Sequence, residues 1–202
     1  MSTVTTPASA SSVRNGAVAI SPRKLAHIVF KTSRYSEVIA WYKTVLNAKV
    51  AFSNDVLTFL SYDDEHHRVA VINMPNLEPR STRAAGLHHV AFTFSTLADL
   101  MATYARLRDL DIRPVFVINH GPTTSLYYED PDNNNVELQI DNYDSIDDAT
   151  AFFYSDAFAE NPVGVEFDPE DLLARLKAGE PEADLKRRPN VGPKGLSDIK
   201  LR

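Results

Sequence analysis

The sequence contains no cysteine among its 202 residues. Disulfides, thiolate zinc sites and cysteine nucleophiles are therefore excluded, and the composition suits a reducing compartment, so we expect a cytoplasmic protein. Any bound metal must be held by histidine and carboxylate side chains, which favours iron, manganese or zinc.

The chain also lacks a long apolar run and an excess of basic residues. The apolar stretch at residues 17–20 is too short for a signal-peptide core or a membrane span. The net charge of −6 gives no electrostatic reason to bind nucleic acid or an anionic membrane. We expect neither of these partners, and we interpret residues 1–20 as a disordered N-terminal arm.

What the sequence does contain is a strand, a helix and three strands in its first half. Apolar residues at helical spacing predict a helix over residues 36–46, with Ser33 or Ser36 as its cap. Short β-rich runs bounded by turn residues predict the strands, which lie at residues 25–30, 50–53, 56–62 and 67–73. These elements form a βαβββ module over residues 24–73.

The same order of elements returns over residues 86–141. Strands are predicted at 87–94, 112–118, 123–128 and 135–140, and a helix at 97–110. An offset of 62 residues places His27 on His89 and aligns the two first strands. A duplication predicts equivalent positions in both halves. We therefore predict an α+β domain over residues 21–145 that consists of two tandem βαβββ modules.

Residues 146–202 form a C-terminal helical extension and tail. Short helices are predicted at 146–158 and 169–177. The segment from 180 to 202 contains several prolines and basic residues, and we favour disorder there over a role in wrapping a partner subunit. The extra helices and tail also suggest a homo-oligomer.

Three side chains stand out as candidate metal ligands. His27 and His89 occupy the same position on the first strand of each module, and Glu137 lies among apolar residues on the last strand of the second. Taken singly, each histidine suits a hydrogen-bonded core residue, and Glu137 suits the solvent face of an alternating strand. Together, two imidazoles and one carboxylate match the ligand set of non-heme Fe(II) oxygenases, which leaves coordination positions open.

These residues resemble the vicinal oxygen chelate superfamily, which includes glyoxalases, bleomycin-resistance proteins and type I extradiol ring-cleaving dioxygenases. Residues 24–141 look most like the extradiol enzymes. The resemblance implies that the two modules form a cupped mixed sheet around a central metal site. The matching stretches are 27–30, 66–71 and 89–92, followed by His120, Tyr127, Pro131 and Glu137. The resemblance implies that His27, His89 and Glu137 bind Fe(II), although Mn(II) also accepts this ligand set.

The resemblance further implies catalytic roles for His67, His120 and Tyr127. A histidine of module one would act as acid and base, and strand parity favours His67, which alternates with Val69 and Val71, over His66. His120 and Tyr127 would hydrogen-bond a substrate hydroxyl. Strand parity favours Tyr127 over Tyr128, because Ser125 and Tyr127 share a polar face whereas Leu126 and Tyr128 share an apolar one. The alternatives are a solvated hairpin end for His66 and His67, a loop histidine for His120, and core packing for Tyr127.

The implied reaction is extradiol cleavage of a catechol-type ring, with a small aromatic diol and O2 as substrates. Glyoxalase-type members use a fourth ligand, an acid on the last strand of module one, and residues 69–72 offer none. Two alternatives remain at this point: a glyoxalase-like lyase or isomerase, and a protein that binds an aromatic compound or drug without chemistry.

Overall fold

The computed structural model describes residues 19–78, 80–81 and 85–198. The proposed arm at residues 1–20 lies outside this range except for its last two residues. No helix within the described ranges has the length and apolar character needed to cross a membrane.

Both predicted modules are present, and each forms its own mixed sheet. The first contains β1 (Ile28–Thr32), α1 (Tyr35–Val45), β2 (Lys49–Ser53), β3 (Leu57–Ser61) and β4 (Val69–Asn73). The second contains β5 (His89–Thr93), α2 (Leu97–Asp109), β6 (Phe116–Asn119), β7 (Thr123–Glu129) and β8 (Asn135–Asp141). The strand orders are β1-β4-β3-β2 and β5-β8-β7-β6-β9, in which β9 (Val165–Glu166) belongs to the C-terminal extension. In both sheets the first strand pairs in parallel with the last strand of its module.

One apolar core lies between the sheets and the helices. Alternation places Leu126 and Tyr128 of β7 in this core, both fully buried, so that Ser125 and Tyr127 face the opposite side of the sheet. Helix α1 begins without a side-chain cap: Arg34 stands at the N-cap position, so the prediction of Ser33 or Ser36 as the cap is wrong.

Polar contacts join the modules as well. The Arg106 guanidinium of α2 donates to the carbonyls of Thr44 and Val45 at the end of α1, at 2.7 and 3.2 Å. The Tyr42 hydroxyl of α1 donates to the buried Asp130 carboxylate at 3.1 Å. These bonds cross from one module to the other, so the core is shared rather than duplicated.

The C-terminal extension folds back onto the second module. It contains α3 (Ile146–Phe152), α4 (Asp156–Glu160), β9, α5 (Pro169–Lys177) and α6 (Glu182–Leu185), with a 3-10 turn at 196–198. The single helix predicted over 146–158 is two helices, because the Ser155 side chain caps a new helix by accepting from the Phe158 N–H.

The preference for disorder after residue 180 does not match the described part of this segment. Leu185 is only 7% exposed, and the Glu182 carboxylate accepts from the N–H groups of Leu97 and Ala98 at the start of α2. A carboxylate at a helix N-terminus is favourable because it satisfies free N–H groups and the positive end of the helix dipole. Residues 199–202 lie outside the described ranges.

Candidate metal centre and active site

His89 and Glu137 meet at the junction of β5 and β8. Parallel pairing sets Glu137 opposite Ala91, two residues along β5 from His89. The His89 Nε2 atom lies 3.0 Å from Glu137 Oε2, and Glu137 is only 4% exposed. An imidazole nitrogen and a carboxylate oxygen therefore face one another on the side of the sheet away from the core.

The Glu137 carboxyl is buried but ionised. Burial opposes its ionisation, yet hydrogen bonds from His89 and Ser125 outweigh that effect and hold its pKa below the usual value. Tyr127 is a third donor to the same carboxylate. Ser125 is fully buried beside it, and although its position on the polar face of β7 was evident from the sequence, no role was assigned to it.

Tyr127 and His120 continue the network from Glu137. Tyr127 is paired with Glu137 in the β7–β8 register, and its hydroxyl lies 3.1 Å from His120 Nε2. Burial, and then the neighbouring Glu137 carboxylate, raise the pKa of Tyr127. The phenol is therefore protonated near neutral pH, and its one proton faces two acceptors, the carboxylate and the imidazole.

His27 and His67 form a separate group at the first module. Their ring centroids are 4.4 Å apart, and His67 also stacks on Phe59 at 4.4 Å with an interplanar angle of 19°. His66 is exposed, with 72% of its side chain accessible. Burial and the nearby His27 lower the pKa of His67, which keeps this imidazole neutral at pH 7.

The preference for His67 over His66 fits this placement, but the parity argument behind it was wrong. Val69 and Val71 are fully buried in the core, on the side of β4 opposite to Phe59 and Ala70. His67 reaches the open side because β4 begins only at Val69, so strand alternation does not extend back to it.

The spacing of His89 and Glu137 suits two ligands of one metal ion. Two ligands bound about 2.1 Å from one ion at right angles lie about 3 Å apart, the separation seen between His89 Nε2 and Glu137 Oε2. Across the described ranges, no three or more His, Asp or Glu side chains lie close enough to hold an ion together. The structure thus brings together His89 and Glu137, with Tyr127 and His120 beside them, whereas His27 lies with His67.

Comparison with known proteins identifies the family of the chain. Residues 24–138 match the model of the glyoxalase/bleomycin resistance protein/dioxygenase superfamily, and this match spans more than half of the chain. The chain belongs to this superfamily.

Two curated relatives support the assignment, and both come from Rhodococcus globerulus. Biphenyl-2,3-diol 1,2-dioxygenase 2 is 50% identical over 159 residues, which cover 78% of this chain and 84% of the relative. Biphenyl-2,3-diol 1,2-dioxygenase 3 is 43% identical over 171 residues, which cover 84% and 90%. The alignments therefore extend beyond the superfamily domain into the C-terminal extension or the N-terminal segment.

A solved superfamily structure supports the fold. The glyoxylase/bleomycin resistance protein/dioxygenase domain from Frankia sp. has a TM-score of 0.51 and 17% identity, and the match covers 60% of this chain and 99% of that domain. At this identity the likeness concerns the fold alone.

The two modules carry different side chains at equivalent positions of the site. In the first module, Val29 of β1 pairs with Ala70 of β4. In the second module, the equivalent residue Ala91 of β5 pairs with Glu137 of β8. Ala70 is therefore the counterpart of Glu137. Phe59, which pairs with Ala70, is likewise the counterpart of Tyr127. The first module thus offers an apolar wall where the second offers a carboxylate, consistent with the missing fourth ligand.

A cleft of about 890 Å³ opens beside His89. Its size lies within the range of small-molecule sites. The side chains that line it are partly basic and include Lys31, Arg34, Arg80 and His88. It lies against the end of β1 and the start of β5, where the two modules meet.

Sequence reasoning missed the contribution of the C-terminal extension. His120 Nδ1 lies 2.6 Å from the Val163 carbonyl oxygen, and Arg188 donates to the carbonyl of His120 itself at 3.3 Å. A main-chain carbonyl carries no side-chain signature in the sequence. The turn-forming stretch Asn161-Pro162-Val163-Gly164 was the available signal for a fixed loop here.

Proposed function

We propose that this protein is an Fe(II)-dependent extradiol dioxygenase that opens the diol-bearing ring of biphenyl-2,3-diol or a closely related catechol. The observation that carries the proposal is the His89–Glu137 pair, a 3.0 Å contact between two metal-binding atoms beside a phenol and a second imidazole. The relatives named above supply the substrate class.

His89 and Glu137 would hold the metal through Nε2 and a carboxylate oxygen, with His27 as the third ligand. Support for His27 is its equivalence to His89. Ile28 of β1 pairs with Val69 of β4, and Val90 of β5 pairs with Val136 of β8 in the same way. Each histidine directly precedes the first residue of one of these equivalent pairs. Fe(II), when bound, supplies Lewis-acid and redox chemistry, lowering the pKa of the diol and allowing ring electrons to reduce dioxygen. Mn(II) fits the same donors.

The side chains around the pair are suited to a diol. The Tyr127 hydroxyl stays protonated because its pKa is raised, so it can donate its one proton to a substrate oxygen in place of Glu137 or His120. His120 presents Nε2 toward the same point, so the two groups together satisfy a substrate hydroxyl that both donates and accepts. His67 is neutral at pH 7 and is therefore a base able to take a proton from the diol.

The reaction consumes one O2 for each diol. The ring bond between a hydroxyl-bearing carbon and its neighbour without a hydroxyl breaks, and both oxygen atoms enter the product, a ring-opened acid with a conjugated oxo group. The ring supplies the electrons, so no external reductant is needed.

The glyoxalase-like alternative is disfavoured by Ala70. That position, the counterpart of Glu137, would carry the fourth ligand of an isomerase, and a methyl group cannot coordinate. The alternative of a pure binding protein gives no reason for a buried, ionised carboxylate against an imidazole.

The test is anaerobic reconstitution with Fe(II), followed by addition of biphenyl-2,3-diol and air-saturated buffer. We expect O2 uptake equal to the diol consumed and a yellow product. Turnover under nitrogen would instead support the lyase, and stoichiometric binding without O2 uptake would support the binding protein. His89→Ala is expected to remove metal and activity together.

We also propose that the protein forms a homo-oligomer. Val50 of the edge strand β2 is 43% exposed, so an apolar side chain is accessible at this edge of the first sheet. Sedimentation equilibrium of the full chain measures the assembly directly.

A further inference from the structure

The tautomer of His120 is set by a group outside the two modules. Its Nδ1 atom lies 2.6 Å from the Val163 carbonyl oxygen, which can only accept. The Nδ1 atom therefore carries the proton. In the neutral imidazole, Nε2 is then the acceptor, and this is the atom that lies 3.1 Å from the Tyr127 hydroxyl.

The Val163 carbonyl is itself held by a buried turn. Asn161 is 4% exposed, and its side-chain oxygen accepts from the N–H groups of Val163 and Gly164 at 3.1 and 2.8 Å. Gly164 lies so close to the chain before His120 that a Cβ there would be 2.5 Å from the Asn119 carbonyl oxygen. The turn and the His120 loop are therefore in direct main-chain contact.

Arg188 ties this turn to the His120 loop. Its guanidinium donates to the carbonyls of Asn161 and Ala157, both at 2.7 Å, and to the His120 carbonyl at 3.3 Å. It also lies 4.9 Å above the Phe152 ring, and Phe152 packs against Gly121. A planar guanidinium is suited to this task because its donors point in fixed, separate directions.

We propose that Arg188 is a positioning residue for His120. It holds the Asn161–Gly164 turn against the His120 loop, so that the Val163 carbonyl keeps the proton on His120 Nδ1. The His120 Nε2 atom then remains the acceptor toward the substrate hydroxyl. This inference rests on the proposed function for its catalytic consequence. Its structural half, the tautomer, is independent of any activity.

Arg188→Met keeps the apolar part of the side chain and removes the N–H donors. Arg188→Lys keeps the positive charge and some of the N–H donors. The matched control is Arg187→Met, since Arg187 is adjacent, has 75% of its side chain exposed and pairs with Asp184 on the surface. The first readout is the ¹⁵N shifts of the His120 ring in the metal-free full chain.

We expect the wild type and the control to show one tautomer protonated at Nδ1, and Arg188→Met to show a mixture. In the Fe(II)-loaded enzyme, kcat should fall about tenfold or more in Arg188→Met, because general acid–base groups contribute a factor of about 10² or more. KM and the Fe(II) Kd should change less than about twofold, and Arg188→Lys should recover part of kcat.

Three results would overturn the inference: a wild-type His120 protonated at Nε2, an unchanged tautomer in an Arg188→Met protein with native circular dichroism, or an equal loss of kcat in the control. If Arg188→Met does not fold, the ring shifts and kcat of Arg188→Lys decide the question. If wild type turns over no catechol, the proposed function fails while the ring shifts still test Arg188.

Discussion

Replacing Gly164 by alanine tests how tightly the C-terminal extension is joined to the site. Gly164 has a φ of +119°, and an added Cβ would lie 2.5 Å from the Asn119 carbonyl oxygen, where ordinary contact begins at 3.4 Å. The chain would have to separate by about 0.9 Å. That displacement breaks the pairing of β9 with β6, which joins Ile118 to Glu166 and Asn119 to Val165.

The magnitude follows from two effects. A positive φ costs a residue with a Cβ about 1–2 kcal/mol, and each lost main-chain hydrogen bond about 1 kcal/mol. The control is Gly179→Ala, because Gly179 has a φ of +85° but open space around its Cβ position. We therefore expect a loss of about 3 kcal/mol in unfolding free energy for Gly164→Ala and about 1–2 kcal/mol for Gly179→Ala.

Urea denaturation of the metal-free chain, followed by circular dichroism, measures both values. Gly164→Ala should also lower kcat, because it moves the Val163 carbonyl away from His120. Equal destabilisation by the two substitutions, with unchanged kcat, would refute the close main-chain contact.

His27→Ala should weaken Fe(II) binding about 100-fold or more in anaerobic titration. His66→Ala, at an exposed position, should leave the Fe(II) affinity unchanged. Equal Fe(II) affinities in the two variants would remove His27 from the ligand set. Tyr127→Phe should lower kcat about 10-fold to 100-fold. The control, Tyr128→Phe, should leave kcat and the free energy of unfolding unchanged, because the buried Tyr128 hydroxyl has no hydrogen-bond partner among the described residues. Burial raises the pKa of Asp130 in the folded protein. Its contribution to stability is therefore greatest below its unfolded pKa of about 4 and is lost as pH rises through the folded pKa. Urea unfolding at pH 4 to 7 should show this loss of unfolding free energy in wild type relative to Asp130→Asn, and parallel pH curves of the two proteins would contradict it.

Much of the fold could be predicted because strand and helix periodicity is explicit in the sequence. Alternation on β7 placed Leu126 and Tyr128 in the core and Ser125 and Tyr127 on the other face, and the structure confirms this. The repeat offset also predicted that β1 and β5 are equivalent, and their register with β4 and β8 confirms it.

The part that could not be predicted depends on contacts without a local pattern. Arg188 lies in a proline-containing segment whose composition indicates disorder, yet its partners are main-chain carbonyls far away in sequence. The grouping of His27 with His67 depends on where β4 begins, and strand ends are the least predictable feature of a sequence.

The most direct test of the central proposal is isotopic labelling during a single aerobic turnover. Fe(II)-loaded protein is mixed with biphenyl-2,3-diol under ¹⁸O2, and the product is analysed by mass spectrometry. An extradiol dioxygenase that uses His89 and Glu137 incorporates both oxygen atoms into one ring-opened product, and His89→Ala forms none. A product without ¹⁸O, or one formed equally well under nitrogen, would contradict the proposed function.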